Sequence, residues 1–232
     1  SKITYSVGPA VVEAAQQARK QTLQIAAAEF EADEEDLEIS DGTVHVKGVP
    51  TAELSLSEIA AKTMQFGGSY APVKGNGRTA PSGRSPAFCG QIAEVEVDKG
   101  TGAVTVHRLV VIQDVGKIIN PLTASGQLAG GATQGIGWAL YEAIEYDQGQ
   151  LLTGSLMDYA VPDITQSAVE METIMIEVPS DYGPYGARGI GEPPVIATAG
   201  AIGNAISDAG YGRVRTLPMT PQRVLFAHEN RS

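Results

Sequence analysis

The chain has 232 residues, 43% of them hydrophobic, and a net charge of −11, which excludes wholesale disorder and argues against a nucleic-acid groove or an anionic membrane surface as partner. A chain of this length buries roughly 70–75% of its unfolded surface, enough for one large domain or two small ones. Its single cysteine, Cys89, can build neither a disulfide framework nor a cysteine-ligated iron–sulfur cluster, so any such cluster belongs to another polypeptide.

In chain order, no charged and apolar leader opens the sequence and no apolar run reaches membrane length, so the expected location is cytoplasmic. Ser1 to Tyr5 reads as a polar segment ahead of a helix that begins near Pro9, proline being suited to a first turn, and runs to about residue 30. The hydroxyls of Ser1 and Thr4, with the N–H groups at that helix start, make a candidate phosphate site; a loop with a capping hydroxyl is the alternative. The acidic stretch 31–36 is a solvated connection. Residues 37–40 and 43–46 flank Asp41-Gly42 and predict a hairpin. Ser55 and Glu58 are spaced as a capping box that opens a helix to about residue 64. His45 has no partners at metal-ligand spacing, and no metal site is expected from protein side chains.

Residues 67–86 hold five glycines and three prolines and predict a long surface loop, either functional or disordered. Residues 87–98 and 103–114 alternate as two strands around a turn at 99–102, with Cys89 on the first, packed as a small hydrophobe. Asn120-Pro121 starts a segment with glycines at 126, 130, 131, 135 and 137. Each costs a helix up to about 1 kcal/mol, so five together need a reason. Four-residue spacing aligns 126 with 130 and 131 with 135, and a face without side chains admits another backbone or a flat cofactor, with Gln127 and Gln134 supplying amide groups. Residues 146–150 form a turn and 169–178 a strand. In the stretch 185–194, Glu192 stands between Gly191 and Pro193-Pro194, where a loop should become a helix over 195–209. A helix N-terminus favours negative charge, so this carboxylate either caps the helix or serves as a general base or anion-site neighbour. Helices and hairpins mix without a regular β-α-β rhythm, which predicts an α+β fold.

The run Gly189-Ile190-Gly191-Glu192-Pro193-Pro194, with Asp114-Val115-Gly116, Asn120-Pro121, Gln127, Gly130-Gly131 and Gln134-Gly135-Ile136-Gly137 upstream, resembles the molybdenum-binding subunit of the xanthine dehydrogenase and aldehyde oxidase family. The closing Leu217-Pro218-Met219-Thr220-Pro221-Gln222-Arg223-Val224 fits the same pattern. The likeness runs from about Ser1 to Leu225 and covers the C-terminal part of that subunit. It implies that residues 1–232 form one C-terminal molybdopterin-binding domain, as a fragment or a naturally split subunit. The implied cofactor is molybdenum–molybdopterin, with or without a cytosine dinucleotide extension; iron–sulfur and FAD groups would sit on partner domains or subunits. By the same resemblance Glu192 is the general base for hydroxylating an N-heterocycle or aldehyde with water. Gln134 approaches the metal centre, and Gly191, Ser1 and Thr4 contact the cofactor. The implied partners are the N-terminal portion of the same subunit and the redox subunits. The alternative is a non-catalytic half that closes over a cofactor held by another chain.

Overall fold

In the computed structural model, which describes residues 2–80 and 83–229, the chain divides into two compact units, residues 2–81 and 82–232. Helices and sheets mix in both, as the α+β expectation required. Among the described residues no helix is long and apolar enough to cross a membrane.

The first unit opens with α1, Lys2–Phe30. This corrects the expected start: Pro9 lies inside the helix, and Thr4 is an exposed residue of its first turn rather than part of a loop before it. A proline inside a helix loses one bond, here to the Tyr5 carbonyl, and the Ala-rich run beyond it continues the ladder. Ser1 lies outside the described residues. The far half of α1 buries Leu23, Ile25 and Ala26 in a core with Leu37, Val44 and Ile59. Those partners come from an antiparallel sheet of β1 (Leu37–Ser40), β2 (Thr43–Val46) and β3 (Val49–Ser55), and from α2 (Leu56–Thr63). Asp41 and Gly42 turn the hairpin with φ of 46° and 80°, the left-handed pair a two-residue turn demands. Ser55 and Glu58 close the capping box on α2. β3 was not expected, because Pro50 interrupts its pattern; at a sheet edge, proline is tolerated.

The glycine-rich loop is pinned to α1. The N–H groups of Lys74, Asn76 and Arg78 donate to Gln21 Oε1 (3.2 Å), Gln17 Oε1 (3.0 Å) and Glu13 Oε2 (2.8 Å). Four helical residues advance about 6 Å and two extended residues about 6.6 Å, so the two periods stay in step. The intervening glycines face the helix: a Cβ on Gly75 would stand 1.9 Å from the Ala14 carbonyl oxygen, and one on Gly77 1.6 Å from that of Ala10.

The second unit is built on β4 (Cys89–Val97), β5 (Val104–Asp114) and β8 (Glu170–Ile176), in the order β4-β5-β8, with β4 and β5 antiparallel and β5 and β8 parallel. Central β5 reads as a continuous apolar run, Leu109 to Ile112, and Leu109 and Val111 are fully buried, as a strand covered on both faces should be. Three helices follow the scheme: α3 (Pro121–Leu140), α4 (Pro193–Asp208) and α5 (Pro221–Glu229), with a small hairpin of β6 (Tyr146–Asp147) and β7 (Gln150–Leu151) after α3. Leu128, Ala132, Ile136 and Ala139 line one face of α3 and share a core with Ile202 and Ile206 of α4, Met219 of the segment before α5 and Val224 of α5. α5 was not foreseen in the closing segment.

Candidate active site

The segment 183–194 is an irregular turn that enters α4, and three sets of bonds hold it. At its start Arg188 forms a nearly hidden clamp: Nε lies 3.0 Å from Asp114 Oδ2 and donates to the Val178 carbonyl, while Nη1 donates to the Pro86 carbonyl at 2.7 Å. Arg188 and Asp114 side chains are 13% and 12% exposed, so the pair is screened little by solvent. Asp114 Oδ1 accepts the N–H groups of Gly116 (3.0 Å) and Val178 (3.3 Å). Gly116, at φ 69°, passes so close to the turn that a Cβ would stand 2.2 Å from the Gly186 carbonyl oxygen.

In the middle and at the end, two glutamines of the sheet reach up. Fully buried Gln113 donates Nε2 to the Gly189 carbonyl at 3.3 Å, and Gln91 donates Nε2 to the Pro194 carbonyl. Gln91 pairs with Val111 across the strands, two residues from Gln113, so both amides rise from one face of β4–β5. Each keeps a buried Oε1 without a hydrogen-bond partner among the described residues. Together they bracket Ile190 to Pro193. Neither was singled out in the sequence, although a glutamine ending the buried run Val110-Val111-Ile112 was a signal.

Glu192 is the N-cap residue of α4 and is exposed. Its side chain makes no capping bond, for a local reason. A cap accepts from the N–H of N2 or N3; Pro193 and Pro194 fill N1 and N2 and have none, and the Val195 N–H already donates to the Glu192 carbonyl at 3.0 Å. The carboxylate is thereby left outside the helix's hydrogen bonding.

The glycines of α3 divide into two faces. Gly131 and Gly135 are buried against α4: a Cβ on Gly131 would stand 3.1 Å from the Gly191 carbonyl oxygen, and one on Gly135 2.3 Å from Thr198 Oγ1. That face serves helix packing, not a cofactor. Gly126 and Gly130 are exposed, and a Cβ on either meets nothing within 4 Å. Gln127 and Gln134 are exposed on the same side. Gly131 lies about 60° round the helix from Gln134 at 3.6 residues per turn, so the Gly191–Glu192 turn borders this bare face. The fold thus brings Glu192, Gly191 and Gln134 into one neighbourhood of the second unit, whereas Thr4 belongs to the first. Among the described residues, no three His, Cys, Asp or Glu side chains gather where they could hold a metal. The bare stripe with amides beside it suits a flat polar group laid against backbone, the shape and chemistry of a pterin.

A family model described as molybdopterin cofactor-binding domain matches residues 1–168. The chain belongs to that family. The match includes Gln134 and ends before Glu192, so membership does not rest on the Glu192 segment. Over its length this molybdopterin-binding chain is 36% identical to the gamma subunit of the 6-hydroxypseudooxynicotine dehydrogenase complex of Paenarthrobacter nicotinovorans, across 97% of the chain and 29% of the relative. It is 32% identical to the xanthine dehydrogenase molybdenum-binding subunit of Escherichia coli O157:H7, across 97% and 30%. Among solved structures, the Cu,Mo-CO dehydrogenase in its carbon monoxide reduced state superimposes with a TM-score of 0.84 at 28% identity, over 96% of this chain and 29% of that one. Quinoline 2-oxidoreductase from Pseudomonas putida 86 gives 0.79 at 32% identity, over 94% and 29%. The chain therefore spans about three-tenths of the length of the relatives it matches.

Proposed function

We propose that the chain is the C-terminal molybdopterin-binding part of a molybdenum hydroxylase that acts on an electron-poor carbon of an N-heterocycle or aldehyde, with Glu192 as general base. The observation that carries this reading is the exposed Glu192 carboxylate with no capping bond, set beside the bare face of α3. The names of relatives, which include xanthine, quinoline and nicotine, support the N-heterocycle class. When bound, the molybdenum–molybdopterin group, with or without a cytosine dinucleotide extension, supplies the redox chemistry.

This chain's own part is orientation and proton handling. Gly126 and Gly130 leave backbone open for the pterin, and Gln134 offers an amide donor and acceptor toward the metal end. Gly191 lets the backbone approach beside it. At the start of α1, the Thr4 hydroxyl and first-turn N–H groups, with Ser1 before them in sequence, would contact the cofactor's phosphates. Glu192 accepts the proton of the attacking water-derived hydroxyl, its turn held still by Arg188, Gln113 and Gln91. The remaining portion of the large subunit and iron–sulfur and FAD subunits complete the enzyme, in the cytoplasm.

The test is Glu192→Gln in the complete enzyme. The amide keeps size and hydrogen bonding but accepts no proton, so turnover should fall by about 10²–10⁴-fold with cofactor content unchanged. A fully loaded variant whose reductive half-reaction stays within about threefold of the parent, far short of a general base's usual contribution, removes Glu192 from the chemistry.

A further inference from the structure

Residues 209–228 contain three arginines and no aspartate or glutamate, in a chain with 27 acidic and 16 basic residues. The fold gathers all three. Arg213 and Arg215, on the loop after α4, and Arg223, in the first turn of α5, line an open cavity of about 910 Å³ whose lining among the described residues includes no carboxylate. Arg213 Nη1 donates to Asn204 Oδ1 at 2.7 Å and Arg223 Nη1 to the Pro218 carbonyl at 2.7 Å. These acceptors are neutral. The arginine ion pairs among the described residues are those of Arg108 and Arg188, so no carboxylate of the described residues pairs with the three. Their support is firm, because the loop is pressed onto α5 at Gly212, where a Cβ would stand 2.1 Å from the Ala227 carbonyl oxygen. Ser207 on the wall lies fifteen residues beyond Glu192, about 22 Å along α4 at 1.5 Å per residue, so this is a separate place.

Three guanidinium groups lining one cavity, with no ion-paired carboxylate among the described residues, repel one another, and a bound anion relieves that repulsion. Planar forks of N–H donors match phosphate oxygens in pairs, and Thr216 adds a hydroxyl to the lining. The volume lies within the range of small-molecule sites rather than of the broader, flatter surfaces that protein segments cover. Phe226, 68% exposed on the same lining, offers a flat apolar face. We propose that this cavity binds a phosphorylated small molecule carrying a planar ring, of the nucleoside monophosphate class, with the arginines on the phosphate and Phe226 against the ring.

Titration calorimetry on the full chain tests it, with adenosine 5′-monophosphate, ribose 5-phosphate, adenosine and a polyglutamate peptide as probes. The monophosphate should bind saturably, weaken with added salt, and bind more tightly than ribose 5-phosphate, while adenosine alone should not bind. Arg213→Gln and Arg215→Gln should each lose about tenfold or more, the scale of a hydrogen bond to a charged group, and Phe226→Ala should erase the advantage over ribose 5-phosphate. All three side chains are exposed, so unchanged thermal melting should accompany these losses; Arg215→Lys, which keeps charge without the fork, provides a second reading. No saturable monophosphate binding at millimolar concentration overturns the proposal. So does binding that survives the double arginine substitution, or tighter binding of polyglutamate than of the monophosphate.

Discussion

With prolines at N1 and N2 of α4, the Glu192 carboxylate has no helix N–H to accept, so its replacement by glutamine should leave stability within about 0.5 kcal/mol, as for an ordinary surface change. A loss of turnover without a loss of stability is therefore the signature that separates base from cap. Arg188 is the opposite case. It and Asp114 are nearly hidden, and its fork also serves the Val178 and Pro86 carbonyls. Removing one partner of such a pair leaves a charge without its counter-ion, which typically costs about 3–5 kcal/mol. Arg188→Met should lose stability on that scale in chemical denaturation, and Arg188→Lys less, because the charge stays and only the fork is lost. Equal midpoints for Arg188→Met and the parent would show that the turn stands without its clamp.

Among the elements, α3 makes a comparison within one helix. A methyl at Gly135 has Thr198 Oγ1 at 2.3 Å, whereas one at Gly130 has open space. Gly135→Ala should destabilise by about 1–3 kcal/mol through overpacking, while Gly130→Ala should stabilise by up to about 1 kcal/mol through helix propensity. Opposite shifts in thermal midpoint are expected, and equal shifts would mean that the two faces are not distinct. The β4–β5 hairpin carries a pH-dependent part. Asp98 Oδ1 accepts the Thr101 hydroxyl (2.8 Å) and the N–H groups of Thr101 (2.7 Å) and Gly100 (3.0 Å). The Thr101 hydroxyl, then these N–H groups, hold the Asp98 carboxyl below its usual value. A depressed folded-state value stabilises fully above the unfolded pKa, and that stability is lost as pH falls through the folded one. Asp98→Asn should thus melt below the parent at neutral pH, with the gap closing in acid; a gap independent of pH would assign the loss to something other than the charge. This turn, the Asp41-Gly42 hairpin and the Ser55–Glu58 box were legible because each is written within four residues. The start of α1 was not, since Pro9 is as compatible with a bond lost inside a helix as with a first turn.

At the scale of the molecule, each unit has its own core, and its helices and strands were largely readable from periodicity and turn residues. What holds the candidate site was not, because Gln113 meets Gly189 across 76 residues and Gln91 meets Pro194 across 103. Pairings of that separation depend on which strand faces become neighbours, and local sequence carries no mark of it. The same reasoning bears on the cofactor. Sites for small molecules and cofactors typically bury about 70–90% of a drug-sized ligand, while Gly126, Gln127, Gly130 and Gln134 stand exposed along one side of α3 and so offer one wall. The chain spans about three-tenths of its relatives, and the proposed partner portion would supply the opposite wall. Purified alone, these 232 residues should therefore carry no stoichiometric molybdenum or pterin and show no hydroxylase turnover, whereas co-expression with the rest of the large subunit should bring both. Metal analysis and a turnover assay on the two preparations decide it. Stoichiometric metal with turnover in the lone chain would mean that its exposed α3 face is already half of a closed pocket.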